Sequence, residues 1–183
     1  HHTEAHKVGS GTKYDDLINY FKPQFTLGMT ATPERTDNPR HLFEVFKYSV
    51  PYEIRLLDAL EHELVCPFTY YGLNIEERLL KANEEFDYYE LAKFIHSAIE
   101  QKGYYGEKLR ALLFASNIKE ATQISENLNL LGYKSEVAVS TTSTFEDIEK
   151  YIESLKSNDP HTLEIICTVN KFNEGVDIPE VNT

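Results

Sequence analysis

Three short phrases of the sequence carry side chains that could bind a metal or a ligand. The first places His2 and His6 four residues apart with Glu4 between them, which is the spacing of two histidines on a zinc-binding helix. The zinc-protease phrase requires a glutamate directly after the first histidine, however, and Thr3 stands there. We therefore predict no metal site here, and favour residual tag histidines or the remnant of another motif. The three phrases are Thr3-Glu4-Ala5-His6, Thr30-Ala31-Thr32-Pro33-Glu34-Arg35 and Asn173-Glu174-Gly175-Val176-Asp177-Ile178-Pro179.

The second and third phrases each follow a predicted strand. Their apolar residues predict a short strand over Gln24–Thr30 and a buried strand over Leu163–Val169. Both phrases therefore begin at the carboxyl end of a strand, which is where open α/β sheets bind their ligands. This placement favours binding loops over packing segments.

From about residue 86 the sequence alternates between predicted strands and helices. A run of apolar residues predicts a buried strand over Leu109–Ala115, and further strands are predicted over Tyr133–Val139 and Leu163–Val169. Helical patterns separate them, and strands joined through helices pair in parallel with right-handed crossovers. The sequence therefore predicts an α/β fold, with a parallel sheet layered by helices.

The helices of this region have recognisable starts. Ser116 or Asn117 is expected to cap one helix, and Ser143 to Glu146 reads as a capping box for the next, with Phe145 facing inward. A further helix after residue 86 should bury Leu91 and its neighbours at helical spacing.

The first part of the chain is less regular. A helix from Thr12 should end at Pro23, and Asn38 and Pro39 should open another. Residues 51–85 resemble a connector, with a helix over Leu56–His62 and a strand over Leu64–Tyr71.

Composition sets outer limits on the class of protein. The chain has 183 residues, of which 41% are hydrophobic and 12% aromatic, so it can bury a core. No apolar run approaches the roughly 18 residues that would cross a membrane, and the first residues do not resemble a signal peptide. Cys66 and Cys167 lie in separate apolar stretches and are expected to be reduced core residues, which predicts a cytoplasmic protein without a membrane partner.

The net charge of −12 argues against a simple nucleic-acid binder, because phosphate backbones are bound by basic surface. Residues 1–60 carry seven basic and eight acidic side chains, so nearly all of the net negative charge comes from residues 61–183. A solvated acidic surface is the plain interpretation. A nucleic-acid partner stays possible, because proteins also contact nucleic acid through backbone amides and hydroxyls.

Taken in order, the three phrases resemble motifs II, III and V of the superfamily-2 nucleic-acid helicases. The likeness is greatest to the restriction-enzyme, or Res subunit, branch of the DEAD/DEAH-type helicases, and Phe114-Ala115-Ser116-Asn117 resembles motif IV. The resemblance implies a RecA-like, P-loop NTPase helicase fold. It also implies an ATP-driven motor on nucleic acid, with DNA expected rather than RNA.

The resemblance assigns roles to the first two phrases. Glu4 would polarise the water that attacks the γ-phosphate, and His6 would link the nucleotide site to a second domain. Thr30, Ala31 and Thr32 would couple hydrolysis to strand movement. Phosphoryl transfer needs a metal, a positioned water and charge neutralisation, which agrees with these roles.

The same resemblance assigns roles in the later part of the chain. Thr168 and Asn117 would contact nucleic acid, and Gly175 and Asp177 would face the nucleotide between two domains. It predicts residues 1–50 as the end of a first RecA-like domain with motifs II and III, and residues 86–183 as a second with motifs IV and V. The fold is therefore expected to be incomplete at both ends, and the missing parts of the same polypeptide are expected partners.

The sequence departs from the family pattern in its charged groups. Thr3 stands where the family has the aspartate that holds Mg²⁺, and a hydroxyl carries no charge to balance the metal. The 183 residues contain neither a G-x-x-x-x-G-K-[ST] loop nor the arginine-rich motif VI. ATP and Mg²⁺ are therefore expected as cofactors of a longer parent, while the chain alone should bind neither and hydrolyse no ATP.

Two classes of function stay open on the sequence. The first is a fragment of a helicase or translocase, and the second is a catalytically inactive RecA-like module that serves binding or assembly. Paired tyrosines could stack on bases, but half-buried packing is favoured for them. These pairs are Tyr70-Tyr71, Tyr88-Tyr89 and Tyr104-Tyr105.

Overall fold

The computed structural model describes residues 13–30, 43–44, 46–74, 86–139, 143–169 and 178–183. The chain divides into two compact units, His1–Tyr71 and Gly72–Thr183. Each unit is described here by itself.

The described part of the first unit contains helix α1, Lys13–Phe21, and helix α2, Leu56–Glu61. Helix α1 ends because Lys22 takes a positive φ of 44° and Pro23 cannot continue the helix, as predicted. None of the described side chains in residues 16–71 is buried. The predicted helix α2 is confirmed, and the helix predicted from Asn38 begins outside the described residues.

Two predicted strands of the first unit are wrong. The stretch Gln24–Thr30 contains one bridge residue, Gly28, and Leu64–Tyr71 contains no strand. A short apolar run forms a strand only beside a partner that takes up its backbone hydrogen bonds, and the described residues of this unit include no such strand. Cys66, which was expected in a core, is exposed for the same reason.

The second unit is an α/β fold, as predicted. Its described elements run in the order α3, β1, α4, β2, α5, β3. The three strands are parallel, and β3 lies between β1 and β2. This arrangement is consistent with a RecA-like sheet. The bounds are α3 Tyr88–Lys102, β1 Ala111–Phe114, α4 Ile118–Leu130, β2 Ser135–Ala138, α5 Phe145–Lys156 and β3 Ile165–Thr168.

Helices cover both faces of this sheet because neighbouring residues of each strand point to opposite sides. On β3, Ile165 and Cys167 join a buried cluster with α3 and α4, whereas Ile166 joins a second cluster with α5. All four residues of β3 are buried, which explains why three of the four are apolar. The central strand therefore carries the core of the unit.

Side chains cap the helices of the second unit. Asp87 opens α3 and Asn117 opens α4, each accepting a hydrogen bond from a backbone N–H of the first turn. Helix α4 is followed by Gly132, whose φ of 97° suits glycine. The capping box of α5 consists of Thr144 and Asp147, one residue later than predicted. The shift arises because the Ser143 hydroxyl is engaged with β2 instead.

Two cations hold the loop between α5 and β3. The Lys108 ammonium donates to the Ser157 carbonyl at 3.0 Å and to the Thr162 hydroxyl at 2.6 Å. The Arg110 guanidinium donates to the Leu155 carbonyl at 3.1 Å. Both cations thus satisfy carbonyls at the end of α5, where positive charge also complements the helix dipole. Burial lowers the pKa of Lys108.

The two cysteines should differ in reactivity. Cys167 is fully buried with Ser135 Oγ at 3.5 Å from its sulfur, and burial raises its pKa to about 11. Since the thiolate is the reactive form, Cys167 should stay unmodified at roughly pH 8 while the exposed Cys66 reacts. Titration with a chromogenic disulfide reagent should count one thiol in the native chain and two in guanidinium. The Cys66→Ser variant should then show no rapid reaction, and two rapid thiols in the native chain would contradict the prediction.

Candidate functional site

The three strands of the second unit end at the same level. Phe114 of β1 and Ala138 of β2 both lie beside Thr168 of β3. We call the side of the sheet on which these three residues lie the carboxyl edge. It holds the two predicted nucleic-acid contacts that the structure describes, Asn117 and Thr168.

Asn117 follows β1 and opens α4. Its side-chain oxygen accepts a hydrogen bond from the Glu120 N–H at 3.0 Å, and the Glu120 carboxylate accepts one from the Ser116 N–H at 2.8 Å. The sequence prediction that Ser116 or Asn117 caps this helix is thereby confirmed for Asn117. Both residues are exposed, so this helix start faces solvent at the carboxyl edge.

Thr168, by contrast, is fully buried at the end of β3. Its hydroxyl donates to the Ala138 carbonyl at 2.8 Å. The bond joins the ends of β3 and β2 through a side chain. A direct contact of this hydroxyl with nucleic acid would first require that bond to open.

Hydroxyl groups also organise the end of β2. The Ser143 hydroxyl accepts a hydrogen bond from the Val139 N–H at 3.2 Å and donates to the Val137 carbonyl at 3.1 Å. The next residue, Thr144, caps α5 and donates from its hydroxyl to the Asp147 carboxylate at 2.7 Å. This bond, with a second from the Thr144 N–H, lowers the pKa of Asp147. Asp147 therefore stays ionised at neutral pH as the partner of Thr144 in the capping box of α5.

Most of the other predicted site residues lie outside the described part of the chain. Thr30 is described, is half-buried and belongs to the first unit. Among the described residues, the structure therefore brings the predicted Asn117 and Thr168 to one edge of the sheet, and the roles of all the predicted site residues stay predictions. Those outside the described residues are Glu4, His6, Ala31, Thr32, Gly175 and Asp177.

Acidic side chains outnumber basic ones in the first turns of the two helices at the carboxyl edge, where Lys119 of α4 is the one basic residue. Glu120 lies in the first turn of α4, and Glu146 and Asp147 lie in the first turn of α5. Negative charge is favourable beside the N-terminus of a helix, so these residues stabilise the two helices. The same charges oppose the approach of a phosphate backbone, in line with the net charge of −12.

Two exposed aromatic rings at this edge were not found by sequence reasoning. Phe114 is 52% exposed at the end of β1, and Phe145 is 75% exposed at the start of α5. Phe145 was expected to face the core, but as the first residue of α5 it lies before the turns that contact the sheet. The prediction of half-buried packing for the paired tyrosines is correct for Tyr88, which packs against the core, and wrong for the exposed Tyr70, Tyr71, Tyr89, Tyr104 and Tyr105.

Comparison with protein families matches residues 3–35 to the family described as Type III restriction enzyme, res subunit. The matched stretch contains the first two phrases and relates them to helicase-like proteins. It does not extend to the phrases that resemble motifs IV and V. No curated protein matches the chain.

The described residues show neither a metal centre nor a membrane span. No group of three or more His, Cys, Asp or Glu side chains in the described ranges is arranged to hold a metal ion. Glu120 and Asp147 are both engaged in helix capping, so the described part of the carboxyl edge does not fit Mg²⁺ on its own. Within these ranges no helix is both long and apolar enough to cross a membrane.

Proposed function

We propose that the chain is part of a cytoplasmic nucleic-acid-dependent ATPase that couples ATP hydrolysis to movement on DNA or to its unwinding. The match of residues 3–35 to the Type III restriction enzyme res subunit carries this proposal. It supports the interpretation of Glu4 and His6 as catalytic residues and of Thr30, Ala31 and Thr32 as the coupling motif. In the parent protein, ATP and Mg²⁺ would supply the phosphoryl group and its charge neutralisation.

The fold of the second unit supports the proposal independently. Parallel α/β sheets bind ligands at the carboxyl ends of their strands, and Gly175 and Asp177 lie in the segment of sequence that follows β3. On this reading the two residues face the nucleotide, and the carboxyl edge faces the nucleic acid. Asn117 would approach the backbone, while the exposed rings of Phe114 and Phe145 would stack on bases.

A second candidate is a catalytically inactive RecA-like module that serves binding or assembly. Two observations favour it: Thr3 replaces the metal-holding aspartate of the family pattern, and acidic side chains occupy the helix starts of the carboxyl edge. The residues encoded on either side of the chain discriminate between the candidates. A glycine-lysine phosphate loop upstream with paired arginines downstream favours the motor, and their absence favours the module.

The nucleic-acid interface can be tested with a substitution that keeps the helix cap. Asn117→Asp retains a side-chain oxygen that caps α4 equally well, but it adds a negative charge at the carboxyl edge. We expect affinity for single-stranded DNA of about 20 nucleotides to fall about threefold or more at low salt. Fluorescence anisotropy with labelled DNA measures the change, and an RNA of the same sequence tests the preference for DNA.

Asn158→Asp is the matched control. Asn158 is also exposed, but it lies in the loop before β3, at the opposite edge of the sheet, where it accepts a hydrogen bond from Arg110 at 2.6 Å. The same charge change there should leave DNA affinity within about a factor of two. Equal weakening by both variants would mean that total charge, and not the carboxyl edge, governs binding. If the unmodified chain binds no DNA, the assembly module becomes the better interpretation.

A further inference from the structure

Two hydroxyl groups at the carboxyl edge, those of Thr168 and Ser143, bond to the backbone of the strand ends. Thr168 and Ala138 lie side by side in the sheet and have no exposed surface. Since the Thr168 hydroxyl has a single proton, its donation to the Ala138 carbonyl leaves no donor for another partner. Breaking the bond would remove a donor from a buried carbonyl, which is costly.

Ser143 bonds to the backbone at the end of β2 on the side of that strand away from β3. Successive peptide groups of a strand point to opposite sides, so Val137 and Val139 face away from β3. The Ser143 hydroxyl accepts from one of them and donates to the other, and its own N–H donates to the Val139 carbonyl at 2.9 Å. Ser143 therefore occupies the place that a further strand would take beside this outer strand.

We propose that Thr168 and Ser143 are positioning residues that together fix the end of β2 at the carboxyl edge. Thr168 then supports the proposed nucleic-acid interface by holding Ala138 in place, and it does not contact the nucleic acid itself. This inference rests on the proposed function and replaces the direct contact that the sequence resemblance implies for Thr168. It also explains why a hydroxyl predicted to meet a ligand is buried.

The two residues hold the same short segment from opposite sides. Thr168 bonds to Ala138, and Ser143 bonds to the residues before and after it. We call the bonds of Thr168 and Ser143 to this segment the clamp. Ser143 directly precedes Thr144, the N-cap of α5, so the clamp also sets where that helix begins. A change at Thr168 is therefore expected to reach the start of α5.

The clamp can be tested by amide hydrogen exchange in the whole chain. Thr168→Val removes the hydroxyl with little change of shape, and we expect the Val139 amide to exchange about tenfold faster, although Val139 bonds to Ser143 and not to Thr168. Thr168→Ser restores the donor and should return the rate to within about threefold of the original. Ser143→Ala should also raise the exchange rate of the Val139 amide. The double variant should exchange faster than either single variant, but its rate increase should be smaller than the product of the two single increases.

DNA affinity separates positioning from contact. We expect Thr168→Val and Ser143→Ala each to weaken binding of single-stranded DNA by about threefold or more, with recovery in Thr168→Ser. Weaker DNA binding in Thr168→Val with unchanged exchange at Val139 would overturn the inference in favour of direct contact. Unchanged exchange in Ser143→Ala would overturn it as well, and this variant covers the case in which Thr168→Val fails to fold. If the unmodified chain binds no DNA, the proposed function fails while the exchange rates still decide whether the clamp exists.

Discussion

Replacing Leu128 by alanine should lower the free energy of unfolding of the second unit by about 2–5 kcal/mol. Leu128 has no exposed surface and packs in the buried cluster that joins α3, α4 and the sheet. Alanine removes apolar contacts and leaves a cavity that close-packed neighbours fill only in part. Urea unfolding followed by circular dichroism measures the loss.

Leu130 provides the matched control for this substitution. It lies two residues further along α4 and is 77% exposed. The same change to alanine there should alter the free energy of unfolding by no more than about 0.5 kcal/mol. A loss at Leu130 as large as that at Leu128 would mean that α4 packs through a different face.

Replacing Asn182 by alanine should weaken the attachment of residues 178–183 to the segment before β1 and destabilise the second unit by about 1–3 kcal/mol, although the backbone bonds of residues 182 and 183 to Arg110 and Leu112 remain. The Asn182 side-chain oxygen accepts a hydrogen bond from the Arg110 N–H at 2.8 Å. Its amide donates to the carbonyls of Tyr105 at 2.6 Å and Lys108 at 2.8 Å. Alanine leaves all three backbone groups without these partners. Urea unfolding measures the stability, and exchange of the Arg110 amide reports the loss of its bond to Asn182 directly.

Two further variants sharpen the test. Asn182→Asp keeps the acceptor for Arg110 but turns an oxygen towards two carbonyls, so it should destabilise the unit at least as much as alanine. Asn127→Ala is the control, because the Asn127 side chain donates only to the Gln123 carbonyl of its own helix and alanine favours helix. It should change the free energy of unfolding by no more than about 0.5 kcal/mol. Equal losses at Asn182 and Asn127 would show that Asn182 anchors nothing.

The sequence predicted the strands and helices of the second unit because burial leaves a pattern along the chain. The apolar run of Leu163–Val169 predicted β3, and alternating elements predicted parallel pairing. The position of β3 between the outer strands was not predictable, since periodicity says which residues are buried but not which strands are neighbours. In the first unit the same reasoning failed at Leu64–Tyr71, because a short apolar run needs a partner that the sequence does not name.

The candidate site was predictable only where the bonds are local. Asn117 was found as a cap because its partner, Glu120, lies three residues away. The anchoring bonds of Asn182 and Lys108 join residues 49 or more positions apart, and their acceptors are mainly backbone carbonyls, which every residue has. Such bonds leave no signature in residue type or spacing. The burial of Thr168 was predictable because it lies in a buried strand. Its bond to Ala138 was not, because predicting that bond requires the order of the strands in the sheet.

The central place of β3 has a consequence for synthesis of the protein. Because β3 follows both outer strands in sequence, β1 and β2 leave the ribosome before the strand that each pairs with. The outer strands are not neighbours, so neither can join this sheet until Ile165–Thr168 has emerged. Pairing between distant segments also requires loop closure before it stabilises anything. The second unit should therefore assemble its sheet only after Ile165–Thr168 has emerged, and the apolar strand β1 is where a ribosome-associated chaperone would bind in the meantime.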